Sequence, residues 1–296
     1  MQNALTACFI GLGSIGKRHL KNLHAVCAER GIGIKVDAIR HAMKPLEADI
    51  SSLIEKQYIL GDSLSHYDLM FICNPSQMHY ETLLLMGGFA DHVFLEKPAF
   101  TRPLTDEEIG PFSDERKFYV ACPLRHTTTY YSLKSYVDAH SIYSARAICS
   151  SYLPDWRPGV DYRKLYSSSS DSGGVKFDLV HEFDYLISLF GFPLDCKIFE
   201  SKVSHLEIDC SDVVVFVARY KDKLVELHLD YFGRSPQRSC ELFSRDEVAK
   251  FDFLGGAEDR NASYMREMEY FLDFVQGNRE NINSAVCANR LIRLIA

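Results

Sequence analysis

Leu5-Thr6-Ala7-Cys8-Phe9-Ile10-Gly11-Leu12-Gly13-Ser14-Ile15-Gly16 joins a short apolar run to a Gly-x-Gly-x-x-Gly. A strand that ends in such a loop, with a helix beginning inside it, opens a βαβ unit. Gly11 allows the tight turn, Gly13 lets the backbone approach a pyrophosphate, and Gly16 permits close packing of helix on sheet. N–H groups left unpaired at the helix start, from Leu12 through Ser14 and Ile15, then face an anion. The reading is therefore a dinucleotide site at the chain's first turn.

Working outward, strand-like and helix-like runs alternate as far as Cys122. Strands are expected at Leu5–Ile10, Ile34–Arg40, Tyr58–Leu60, Asp68–Cys73, Val93–Leu95 and Phe118–Cys122, with helices through Glu29, over Pro45–Lys56 and up to Met86. Such alternation makes a doubly wound parallel sheet with helices on both faces. After Pro123 the rhythm changes to a helix at Thr128–Ala139, a strand at Tyr143–Tyr152 and a long loop over Leu153–Gly173. A helix at Gly174–Phe190 follows, then strands near Cys196–His205, Asp212–Tyr220, Leu224–Phe232, Arg238–Ser244 and Val248–Phe253 and two closing helices. The fold class expected is α/β: an N-terminal Rossmann sheet followed by an α+β domain with an open-faced, mainly antiparallel sheet. The boundary falls near residue 122, giving a dinucleotide-binding domain over 1–122 and a substrate-binding and oligomerisation domain over 123–296.

Bulk composition narrows the function classes. A chain of 296 residues with 47% hydrophobic and 25% charged residues is an ordinary globular one. The net charge of −7 argues against a nucleic-acid partner, which needs a basic face. Nine cysteines without a C-x-x-C pair read as reduced thiols and not as a disulfide framework or zinc site. No run is apolar and long enough to span a bilayer and no signal-peptide pattern opens the chain, so a cytoplasmic protein with no membrane partner is expected.

Cofactor choice turns on the end of the second strand. A carboxylate there accepts from a ribose 2′-hydroxyl and repels a 2′-phosphate, whereas a guanidinium grips the phosphate. The strand ends Arg40-His41, with Lys44 close behind, which favours NADP while leaving NAD possible. Asp37 is the competing residue if the strand ends three residues earlier.

Glu96-Lys97-Pro98 closes the fifth strand, where open α/β sheets bind ligands, and places an amine that can exchange a proton. A positive charge close by, such as that of an oxidised nicotinamide, favours the neutral amine. The Gly174–Phe190 helix supplies a second proton carrier. Leu179, Val180, Phe183, Leu186, Ile187 and Phe190 share its apolar face, opposite Asp178, His181, Glu182 and Tyr185, with Asp184 on the flank. His181 is read as the general base, with Asp178 or Glu182 orienting it; a metal there lacks a compatible third ligand, and none is expected. The Leu153–Gly173 loop carries Trp156, Arg157, Asp161, Tyr162 and Arg163, and is read as a substrate lid that Arg125 could join. The competing reading packs this loop on a neighbouring subunit.

Together these residues resemble the glucose–fructose oxidoreductase / inositol dehydrogenase / rhizopine catabolism (Gfo/Idh/MocA) family. The resemblance runs along the whole chain: Gly11 to Gly16 extended by Lys17-Arg18-His19, then Asn74-Pro75 with His79, Glu96-Lys97-Pro98, Arg125, and the Gly-Gly helix bearing Asp178 and His181. It implies a Rossmann domain and an open-faced sheet that often builds homodimers or homotetramers. It also implies hydride transfer between NAD(P) and a carbinol of a sugar or cyclitol, with Lys97 and His181 handling the proton. Asn74, Pro75, His79, Glu96 and Lys97 would then line the cofactor with the glycine loop. One departure is that the family pattern sets the Asp four residues before the His, whereas Asp178 and His181 are three apart. His181-Glu182-Phe183-Asp184-Tyr185 and the Leu153-Pro154-Asp155-Trp156-Arg157-Pro158 loop look like a subgroup linked to surface-polysaccharide or nonulosonic-acid pathways. The expected function is an NAD(P)-dependent oxidoreductase acting on a sugar-like small molecule. Two other readings stay open: net-neutral hydrolysis or epimerisation with a recycled, tightly bound cofactor, and a non-catalytic dinucleotide sensor.

Overall fold

The computed structural model describes residues 4–42, 45–59, 65–169, 174–255, 258–259 and 261–296. The first parallel sheet follows from the strand–helix alternation. It uses β1 (Leu5–Ile10), α1 (Ser14–Glu29), β2 (Ile34–Arg40), α2 (Ala48–Ser51), β3 (Lys56–Ile59), β4 (Tyr67–Ile72), α3 (His79–Met86), β5 (Ala90–Leu95), α4 (Asp106–Ile109) and β6 (Phe118–Val120). Strand order is β3-β2-β1-β4-β5-β6, all parallel. The order reverses between β1 and β4, which opens a crevice at their carboxyl ends. Continuous burial of Ala7 to Ile10 and Leu69 to Ile72 reflects strands covered on both faces.

The second unit contains α5 (Thr128–Ala139), β7 (Ile142–Tyr152), α6 (Gly174–Asp178), α7 (Val180–Phe190), β8 (Asp195–Ser201), β9 (Val213–Arg219), β10 (Leu224–Asp230), β11 (Phe232–Ser244) and β12 (Val248–Asp252). Its strands run β12-β11-β7-β10-β9-β8 and pair antiparallel, except for the parallel β7–β10 pair. Alternate residues such as Ala145, Ala147, Val214, Phe216, Val225 and Leu227 enter a core with the helices, while Tyr143, Phe199, Leu224 and Val248 stay exposed. One face is packed and the other open, as the alternation required.

The chain closes with α8 (Ala262–Val275) and α9 (Ala285–Ile295). Here a single cut near residue 122 does not describe the molecule. Residues 260–290 pack with 1–121 as one compact unit, and 122–259 with 291–296 form the other. Phe271 of α8 meets Phe71 and Phe94 edge-on at 5.6 and 5.2 Å, and Asn261 exchanges amide hydrogen bonds with Asn22 of α1. An apolar helix face far along the chain thus covers the first sheet.

Three local differences have physical causes. The helix expected over Pro45–Lys56 shrinks to α2, because Glu55 N–H already donates to the Val36 carbonyl at 2.7 Å and draws the chain to the sheet edge. Phe232 and Arg238–Ser244 fall in one strand, β11, whose register with β7 shifts between Phe232 and Gln237 around Pro236, a residue without an N–H for the ladder. The Gly174–Phe190 helix breaks at Leu179 (φ −95, ψ 27), leaving Asp178 on α6 and His181 on α7.

Candidate active site

The glycine loop is built by close approach. Gly11 has φ +94, and a Cβ there would lie 2.7 Å from the Asn74 nitrogen. A Cβ on Gly16 would sit 2.2 Å from the Gly11 carbonyl oxygen, so strand, loop and helix meet with only hydrogen between them. At Gly13, the N-cap of α1, a Cβ would touch nothing within 4 Å. The loop therefore has two packed glycines and one that faces open space at a helix N-terminus, an arrangement that fits a pyrophosphate. Leu12, Ser14 and Ile15 fill the positions between.

The second strand ends where the sequence placed its end. Gly11 N–H donates to the Ile39 carbonyl at 3.3 Å, so Arg40 and His41 follow directly on the loop's level. Arg40 Nη1 donates to Gln57 Oε1 at 2.8 Å, and His41 is exposed. Asp37 lies three residues back, opposite Cys8, accepting from Lys56 N–H at 3.1 Å and from the Tyr67 hydroxyl at 2.9 Å. Lys44 lies outside the described residues.

Two buried histidines hold the backbone around Lys97. Glu96 Oε1 is 2.5 Å from Nε2 of His19 on α1, and its Oε2 accepts from the Lys97 N–H at 3.0 Å. Burial pushes the Glu96 carboxyl up, but the His19 hydrogen bond and charge, with the Lys97 charge and N–H, more than offset this and hold it below the usual carboxylate range. On the other side, His79 Nδ1 lies 3.0 Å from the Pro98 carbonyl and 3.2 Å from that of Ala99, and its Nε2 is 3.0 Å from the Asn74 carbonyl. Burial draws the His79 pKa down against those carbonyls. Asn74 Nδ2 donates to Thr82 at 2.7 Å; Pro75 begins the turn into α3. The structure thus brings Gly11, Asn74, His79, Glu96 and Lys97 to the carboxyl ends of β1, β4 and β5.

In the second unit the polar side of α7 is buried: Glu182 and Tyr185 fully, and His181 and Asp184 nearly so. Arg125 meets Asp184 in a fork, Nε to Oδ2 at 2.8 Å and Nη2 to Oδ1 at 2.6 Å. Burial lowers the Arg125 pKa, but the Asp184 carboxylate more than reverses this, so the guanidinium stays charged. Arg125, expected to be able to join the lid, is paired with Asp184. Glu182, expected to orient His181, receives Arg238 Nε at 2.7 Å. Asp178 Oδ2 accepts from Ser167 Oγ at 2.6 Å and from the Tyr231 hydroxyl at 3.1 Å.

The loop after β7 is ordered by its own contacts. Trp156 Nε1 donates to Ser151 Oγ at 2.9 Å. Arg163 forks onto Asp161 (2.8 and 3.0 Å) and reaches Glu207 at 2.7 Å, so its charge is met by two carboxylates. The Tyr162 hydroxyl accepts from Glu207 N–H at 3.1 Å. Arg157 is exposed and has no ion pair among the described residues.

Residues 5–110 match the model of an oxidoreductase family with an NAD-binding Rossmann fold, Gfo/Idh/MocA. The uncharacterized oxidoreductase YrbE of Bacillus subtilis is 24% identical over 205 residues, 64% of this chain and 55% of its own length. The chain thus spans about half of that curated relative. Among solved structures, myo-inositol 2-dehydrogenase from Lactobacillus plantarum superposes with a TM-score of 0.78 at 18% identity, over 99% of this chain and 95% of that one. The WlbA dehydrogenase from Bordetella pertussis, solved with NADH and UDP-GlcNAcA, gives 0.78 at 16% identity, with the same shares covered. At these identities the likeness is one of fold, and it takes in the open-faced sheet as well as the Rossmann unit.

Sequence reasoning missed Tyr231, Ser167 and Arg238, the partners of Asp178 and Glu182. A tyrosine after a strand, a serine in a serine run and an arginine inside a strand carry no spacing signal. His19 was visible in the Gfo/Idh/MocA-like Gly16-Lys17-Arg18-His19 run, but its bond to Glu96, 77 residues on, was not.

Proposed function

We propose that the chain is a nicotinamide-dependent dehydrogenase or reductase acting on a hydroxyl or keto carbon of a sugar derivative. The first unit, residues 1–122 in the main, would bind the dinucleotide. The second would hold the substrate and, through its open sheet face, build a homodimer or homotetramer. The observation that carries the reading is the pairing, in one crevice, of an open Gly13 at a helix N-terminus with Lys97 on a strand end braced by Glu96. A pyrophosphate cradle alone fits many ligands; a lysine at the carboxyl edge of the same sheet suits a proton transfer coupled to redox chemistry.

The bound nicotinamide would supply or take up the hydride. Lys97 Nζ and the His181 imidazole would take the hydroxyl proton during oxidation and return it during reduction. Asn74, Pro75 and His79 would shape the cofactor side of the crevice, while Trp156, Arg157, Asp161, Tyr162 and Arg163 would frame the substrate, Arg125 acting from behind through Asp184. NADP is the preferred cofactor in this reading, supported by Arg40 and His41 at the loop's level and by Asp37 being engaged below it. Acidic or nucleotide-activated sugars suit the exposed Arg157, and WlbA, similar in fold, was solved with such a sugar.

Lys97→Met is expected to lower kcat by ~1000-fold or more, while fluorescence titration shows NADPH binding within a few-fold of the parent. Full turnover in that variant would refute the role. Arg40→Ala should weaken NADPH roughly 10- to 30-fold and leave NADH nearly unchanged. Equal losses for both would remove the preference for NADP.

A further inference from the structure

Asp178 closes α6, and the break at Leu179 separates it from the helix that carries His181. One of its oxygens, Oδ2, receives two hydroxyls from distant parts of the chain: Ser167 at 2.6 Å and Tyr231 at 3.1 Å. Ser167 lies at the far end of the loop that begins at Leu153. Tyr231 lies between β10 and β11 and supports the near end of that loop. Its ring meets Trp156 edge-on at 5.3 Å with planes 88° apart, and its carbonyl accepts from Leu153 N–H at 2.9 Å. Burial and the Asp178 charge push the Tyr231 hydroxyl pKa well up, so it remains a donor.

A single carboxylate oxygen therefore joins Ser167 of the loop to the tyrosine that packs on Trp156. We propose that Asp178 is a positioning residue for the substrate, acting as a hydrogen-bond acceptor that sets the Trp156 ring and the exposed Arg157 beside it for an anionic sugar derivative. This rests on the reading that the loop meets the substrate. What the latch requires is an oxygen with room for two donors; a negative charge is not needed. That separates it from a role in orienting a protonated His181, which depends on charge.

Asparagine and alanine distinguish the two, because Asp178→Asn keeps an acceptor oxygen and loses the charge. Trp156 is the only tryptophan in the chain, so its emission reports the loop directly and without turnover. With the latch, Asp178→Asn keeps the parent's emission maximum, acrylamide quenching and KM within about threefold. Asp178→Ala and the near-isosteric Tyr231→Phe raise quenching and increase KM roughly tenfold, with kcat within about threefold. The proposal is overturned if Asp178→Asn raises quenching and KM as far as Asp178→Ala, if both Asp178 variants lose kcat by roughly 100-fold or more, or if Tyr231→Phe leaves quenching and KM at parent values. Should the parent itself turn over no sugar, the proposed function fails, while the quenching series still decides whether Asp178 holds the loop.

Discussion

The crevice of the first unit and the helix–sheet face of the second solve the same problem, fixing polar groups, by different means. Around Lys97 the backbone does most of the positioning: packed glycines, strand ends, and histidines that bind carbonyl groups or a backbone-braced carboxylate. Around α7 the positioning is done by side-chain ion pairs between distant residues, Arg125 with Asp184 and Arg238 with Glu182. A backbone-built site tolerates loss of one side chain but not the addition of an atom where chains touch. A site built on buried ion pairs tolerates added bulk at its rim, yet fails when one charge is left alone.

Gly16→Ala should have the largest effect on the first region. Its Cβ has nowhere to go except against the Gly11 carbonyl, so NADPH and NADH binding should both weaken ~100-fold or more in fluorescence titration. Retention within threefold would mean the loop is not held by close approach. In the second region, Arg125→Met leaves Asp184 buried and unpaired. Urea unfolding should then show a loss of about 3–5 kcal/mol, most of it recovered in Arg125→Met with Asp184→Leu. If the double variant is no better than the single one, the ion-pair account of this region is wrong.

Glu96→Gln tests where the two styles overlap. Removing the charge beside His19 should cost about 1–3 kcal/mol at neutral pH. The folded carboxyl titrates below its ordinary value of 4.5. The unfolded chain therefore binds more protons in the interval just below that value, and stability falls as the solution is acidified through it. The parent should lose this increment on acidification while Glu96→Gln stays flatter, so the two stability curves converge at low pH. Parallel curves would show that the His19–Glu96 contact carries no charge-dependent stability.

Much of the first unit was legible because its signals are local. Ile34–Arg40 and the Thr128–Ala139 helix of the second unit were read with the ends the structure shows, since apolar period and flanking residues bound them closely. Gly11, Gly16, Glu96 and Lys97 could be placed because a βαβ unit delivers strand ends to one edge of the sheet. The register shift in β11, the break at Leu179 and the return of residues 260–290 to the first sheet were not legible. The return of residues 260–290 depends on partners far along the chain that nothing in those residues names, while Pro236 marks an interrupted ladder without telling which strand it pairs with.

By itself, the order of residues determined an α/β chain with a glycine turn after its first strand, a lysine after its fifth and a histidine on a later helix, because turn sterics and periodicity act over a few residues. Only the tertiary structure decided which carboxylate serves which donor: Glu96 for His19, Asp184 for Arg125, Glu182 for Arg238 and Asp178 for Ser167 and Tyr231. A buried charge must find its partner wherever packing brings one, and packing is a property of the whole fold.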